Sequence, residues 1–137
     1  MLKMSYGFSV ETSVAVEEAE ARVKELLKAE GFGILTEIDV QGTLREKLGV
    51  DFRPYKILGA CNPPLAHRAL VAEPGIGLLL PCNVVVEALP SGGSRVSFLD
   101  PEAALGMVGN PQLEPIASEA AERLGRVAAR LAEDLQA

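Results

Sequence analysis

Between residues 4 and 10 apolar and polar positions alternate: Tyr6, Phe8 and Val10 fall on one side of a strand, Ser5, Gly7 and Ser9 on the other. The period then lengthens. Val16, Ala19, Val23, Leu26 and Leu27 form a helical stripe that runs to Glu30, with Thr12 and Ser13 offering cap oxygens before it. Gly31 stands where a left-handed C-terminal cap is wanted. Alternation returns over residues 33–40, with Ile34, Thr36, Ile38 and Val40 on one face and Leu35, Glu37 and Asp39 on the other. A short helix over residues 44–48 closes on Gly49, a connector covers residues 51–54, and a third strand covers residues 55–60. Asn62 followed by Pro63 is an N-cap with proline in the first helical position, so a helix is expected to about Glu73, where Pro74-Gly75 stops it.

A strand is expected over residues 77–80, continuing past Pro81 into residues 83–88. Pro90-Ser91-Gly92-Gly93 then reads as a hairpin turn into a last strand over residues 94–99. Asp100-Pro101 leaves the sheet through a helical turn. A long C-terminal helix begins between Pro111 and Pro115, with Leu113, Ile116, Ala120, Leu124, Val127, Leu131 and Leu135 at helical spacing. Phasing the strands puts Phe8, Ile34, Ile38, Ile57, Val84, Val86, Val96 and Phe98 on one face, which the two long helices can cover. The expected architecture is a single domain of class α+β, a two-layer sandwich of one sheet and its helices.

The composition fits such a core. At 137 residues the chain buries enough surface to fold without disulfides or a structural metal. With aromatics at 4% and no tryptophan, the core must be aliphatic. The net charge of −6 argues against a nucleic-acid partner and against an anionic membrane surface, since both are held mainly by Lys and Arg. Two cysteines without an apolar export signal suggest reduced thiols and a cytoplasmic location.

The face away from the helices carries Ser9, Glu37, Asp39, Lys56, Asn83, Glu87, Arg95 and Ser97, interleaved with Leu35, Leu58, Val85 and Leu99. The four aliphatics would form a contiguous patch, which favours a homodimer over an ordinary solvated face.

Candidate chemistry gathers in one corner. Both cysteines and the sole histidine lie between residues 51 and 88, and each cysteine is followed by asparagine with a proline beside the pair. Cys61, just before Asn62 at the expected helix start, would have its thiolate stabilised by free amides and the helix dipole. His67 lies about a turn further on, and Cys82 and Asn83 follow Pro81. The corner reads in three ways: inert packing, a thiol nucleophile or redox pair, and a small-molecule or metal site built on Cys61, His67 and Cys82. No C-x-x-C or H-x-x-x-H spacing supports the metal. Glu37 and Asp39 project from one strand face and read either as ordinary surface acids, which is favoured, or as a carboxylate pair able to bind a hard cation, and Arg53 is a candidate for an anionic ligand or for an ion pair. No nucleophile, base and orienting group can be assembled, so a binding or interaction module is favoured over an enzyme, and no cofactor can be named.

Three blocks carry a resemblance: Gly31-Phe32-Gly33-Ile34-Leu35-Thr36-Glu37-Ile38-Asp39-Val40, Phe52-Arg53-Pro54-Tyr55-Lys56-Ile57-Leu58-Gly59-Ala60-Cys61-Asn62-Pro63 and Leu79-Leu80-Pro81-Cys82-Asn83-Val84. Together they resemble the bacterial and archaeal domain-of-unknown-function family numbered 302. The resemblance implies a β-α-β4-α two-layer fold similar to one repeat of the TATA-binding protein. It implies no activity, cofactor or catalytic residue, and a shared fold does not imply a DNA role.

Overall fold

One unpaired residue, Leu35, decides which side chains the sheet buries at one edge. The computed structural model describes residues 1–135. Six strands form one antiparallel sheet in the order β1-β2-β6-β5-β4-β3. They are β1 (Leu2–Met4), β2 (Gly7–Thr12), β3 (Gly33–Asp39), β4 (Tyr55–Cys61), β5 (Cys82–Ala88) and β6 (Ser94–Leu99). Helices α1 (Val16–Ala29), α2 (Val40–Leu48), α3 (Pro63–Ala72), α4 (Pro101–Gly106) and α5 (Glu114–Asp134) connect or follow them, with 3-10 turns at Pro74–Leu79 and Pro111–Leu113. Without the edge strand and the short helices, the order is β-α-β4-α, and the fold class is α+β.

The buried sheet face is built from rows of cross-strand neighbours. Leu58, Val84 and Phe98 pair in register across β4, β5 and β6, and Phe98 stacks on Phe8 of β2 with ring centroids 5.2 Å apart. Val86, Val96 and Val10 form the next row. Against these rows α1 places Ala19, Val23 and Leu27, and α5 places Leu124, Val127 and Leu131, all buried. Full burial of each such valine or leucine contributes roughly 1.5–3 kcal/mol. A second cluster joins Leu65 and Ala69 of α3, Ile76 of the 3-10 turn and Leu105 of α4 to Leu113 and to Ile116, Ala117 and Ala120 of α5. Helix α5 thus serves both clusters, its first turns in the second and its later turns in the first.

The phase of two strands departs from the sequence pattern. In β3 the pairing with β4 shifts between Ile34 and Thr36, a bulge at Leu35. Past the bulge the alternation is reversed. Ile34 still packs on the main core, whereas Ile38 turns to the helix-free face and is 47% exposed. Glu37 pairs with Leu58 and Asp39 with Lys56, which brings both carboxylates to the helix side. In β4 both phases are apolar, so alternation alone cannot choose between them. Leu58 and Ala60 take the core positions, Leu58 being 0% exposed, and Ile57 faces the other way. Leu58 therefore belongs to the core rather than to a surface patch.

Other boundaries shift for local reasons. Residues 77–79 belong to a 3-10 turn instead of a strand, and β5 starts at Cys82, after the cis Leu80–Pro81 bond. Val40 opens α2, because the Asp39 carboxylate accepts from the Gly42 amide (3.0 Å) and caps a helix there. The N-cap of α1 is Ala15, which has no capping side chain. The Thr12 hydroxyl is engaged by Ser94 (2.8 Å) and the Val14 amide (3.2 Å) instead. Gly31 and Gly49 adopt positive φ (86° and 66°) at the ends of α1 and α2.

Leu58→Ala should lower stability by about 2–5 kcal/mol in urea unfolding, the range for a core leucine. A loss below about 0.5 kcal/mol would return Leu58 to the helix-free face.

Candidate functional site

Asn62 is the hinge of the corner. It follows the last residue of β4, and its carboxamide oxygen accepts from the Leu65 amide (3.2 Å), capping α3. Its Nδ2 donates to the Glu30 carbonyl (3.4 Å) at the end of α1, which also accepts from Arg123 of α5 (3.0 Å). Gly31 must stay without a side chain here: its φ is positive, and a Cβ would sit 3.0 Å from Asn62 Nδ2.

Next to this junction lies a cavity of about 290 Å³ between the two hydrophobic clusters. Phe32, Leu35, Leu65, Leu80, Leu105 and Ile116 supply much of its wall, and Cys61, Asn62 and Cys82 are the only lining side chains that carry a heteroatom. None of the lining side chains is charged. Gly59 beside it allows a close approach of strands, since a Cβ there would meet Thr36 Oγ1 at 2.2 Å and Pro81 Cγ at 2.9 Å.

Both cysteines are free thiols in the wall of this cavity. Burial pushes the Cys61 thiol above its ordinary value, the reverse of the lowering expected from a helix start. The local chain explains the difference. The first two helical residues, Pro63 and Pro64, have no amide hydrogen. The Leu65 amide is taken by the Asn62 side chain, and the Ala66 amide by the Asn62 carbonyl (2.8 Å). No free donor is left to hold a thiolate. Burial, with a smaller contribution from neighbouring Cys61, pushes Cys82 up to about 11. Both thiols are therefore protonated at neutral pH.

The remaining candidates lie apart from the cavity. His67 is exposed on α3 and does not line it, and neither does Asn83 at the start of β5. Among the described residues, no three of His, Cys, Asp and Glu come together in a way that would hold a metal ion. Glu37 is one member of an alternating quartet: Lys24 lies 2.7 Å from Glu20 and 2.9 Å from Glu37, and Lys56 lies 3.3 Å and 3.5 Å from the same two carboxylates. Hydrogen bonding by Lys24 holds the Glu37 carboxyl below its usual range. Asp39 is spent on capping α2. Arg53 donates through Nε (3.0 Å) and Nη2 (2.9 Å) to the buried Glu87 and stands over the Phe52 ring at 4.6 Å, so its charge is already matched. Of the eight candidates, the structure brings Cys61, Asn62 and Cys82 to one cavity and gives Glu37, Asp39 and Arg53 structural partners.

Sequence reasoning missed the apolar wall. The one usable signal was the Leu65, Ala66, Ala69 and Leu70 spacing on α3, which presents a stripe in addition to the long helices. Leu35 carried no such signal, because only the bulge directs it to the cavity.

The family model for the Domain of unknown function DUF302 matches residues 8–131, and the chain belongs to this family. The crystal structure of an uncharacterized conserved DUF302 protein from Bacillus stearothermophilus is similar, with 35% identity and a TM-score of 0.85, covering 92% of this chain and 98% of that one. Among curated proteins, none matches the chain.

The two thiols should alkylate slowly at pH 7 and faster as pH rises, because only the thiolate reacts and its fraction grows about tenfold per pH unit below the pKa. In single-cysteine variants, Cys82 should keep accelerating to about pH 11 and should lag Cys61. Iodoacetamide kinetics saturating below pH 8.5 for Cys61 would restore an activated thiolate.

Proposed function

We propose that this DUF302-family chain is a binding module for a small, uncharged, apolar molecule, held in the cavity walled by Cys61, Asn62 and Cys82. The observation that carries the reading is the cavity itself: about 290 Å³ of space without a charged lining side chain. An ionised ligand group there would lose its hydration with no partner in return, at a cost of several kcal/mol or more. Apolar ligands gain about 25 cal/mol for each Å² removed from water. A thiol nucleophile or redox centre finds less support, since neither thiol is activated and His67 stands outside the cavity. The reduced cysteines fit a cytoplasmic setting. Among the described residues, no helix is long and apolar enough to cross a membrane.

The test is N-phenyl-1-naphthylamine, an uncharged probe that fluoresces in apolar sites. The wild type should bind it saturably. Ala66→Trp, which adds bulk at a half-buried lining position, should weaken binding at least tenfold while leaving the unfolding temperature within a few degrees. Equal binding by a folded Ala66→Trp protein would remove the cavity as the site.

The helix-free sheet face supports a second role, self-association as a homodimer. Leu2, Ser9, Ser97, Val85, Ile57 and Ile38 form one cross-strand row on that face, and Leu2 and Ile38 remain exposed. The row replaces the patch expected around Leu58. Each end is apolar, which suits an isologous contact. Sedimentation at micromolar concentration should give about twice the 14.5 kDa chain mass, and Ile38→Lys should return it to the monomer value. A wild-type mass of one chain would overturn the dimer.

A further inference from the structure

Resting on that reading of the cavity, we infer that its ligand is an elongated alkyl chain that enters end-on and leaves its polar end outside, at a mouth framed by Leu35 and Leu70. Three observations carry this. Inside, a polar head group has few partners to meet: the Asn62 carboxamide already bonds to Leu65 and to Glu30, and the thiols are only weak donors. At the mouth, apolar side chains face outward. Leu35 and Leu70 line the cavity yet are 67% and 43% exposed. These come from two separate elements, β3 and α3, so the apolar track continues from the interior onto the surface. A compact ligand would be satisfied inside and would make no use of it. Lastly, the cavity of about 290 Å³ has room for a single alkyl chain of roughly ten carbons.

The β3 bulge gives the mouth its shape. It leaves Leu35 out of the strand ladder and directs the side chain to the cavity rim, the kind of re-aiming for which bulges occur beside binding sites.

Straight-chain alcohols from butanol to dodecanol, with cyclohexanol as a compact control, test the inference by displacing N-phenyl-1-naphthylamine. Burial of each added methylene should tighten binding about fourfold. In the wild type the rise should continue to dodecanol, past what the cavity alone holds. In a Leu35→Asn/Leu70→Asn variant, which makes the mouth polar, the gain per methylene from hexanol to decanol should match that of the wild type, while the gain beyond about ten carbons should vanish. Cyclohexanol matching decanol, or no gain from hexanol to decanol, would overturn the alkyl-chain inference and leave the cavity reading standing. If neither the probe nor any alcohol bound, both would fall. A variant that kept the full long-chain gain would remove the mouth from the proposal.

Discussion

The packing of this protein depends on how one buried carboxamide divides its hydrogen bonds. Asn62 caps α3 with its oxygen and holds the C-terminal carbonyl of α1 with its nitrogen. A helix start, a helix end and the end of a central strand are thereby fixed to one another within a few ångströms. An N-cap bond of this kind is worth about 1 kcal/mol on its own. Its larger effect is positional, since it sets the distance between the sheet–α1–α5 core and the smaller cluster under α3. The cavity is the space those two clusters leave between them. Arg123 adds a second donor to the same carbonyl from α5, so all three long-range partners of the junction are tied at one oxygen.

How much of this was legible depended on the kind of signal. Stripes at helical spacing located α1 and α5, and the Asn62-Pro63 start with the Pro74-Gly75 stop located α3, because each helix is longer than the ambiguity at its ends. Asn62-Pro63 announced its cap in the sequence, and Gly31 and Gly49 announced their left-handed conformations. Strand phase was less readable. In β4, Ile57 and Leu58 are equally apolar, and only tertiary packing selects Leu58. In β3, a bulge has no local residue signature here, yet one unpaired residue reverses Glu37, Ile38 and Asp39 together. That single shift turned a supposed carboxylate pair into an ion-pair partner and a helix cap. The edge strand Leu2–Met4 was too short to show any period.

The candidate site followed the same division. That Cys61 and Cys82 would share a corner was visible from their places beside strand ends, whereas His67, expected with them, lies outside the cavity. The lowering expected for the Cys61 thiol is the part the structure reverses, and the information was present: two consecutive prolines after Asn62 remove the amides a thiolate would need. Dipole arguments at helix starts require actual donors, and a Pro-Pro start has few. The cavity wall drew on residues scattered over β3, α3, the 3-10 turn, α4 and α5, a gathering only topology provides.

The bulge in β3 has one more consequence, for the sheet as an object with borders. β3 is an outermost strand, and an outer strand with free N–H and C=O groups is a template for further strands. Leu35 interrupts that template partway along, and the chain turns directly from Asp39 into α2 at its end. Strand addition along this border would meet a broken ladder and a charged stretch at Glu37. The same irregularity that brings Leu35 to the cavity rim thus guards this border of the sheet against strand addition.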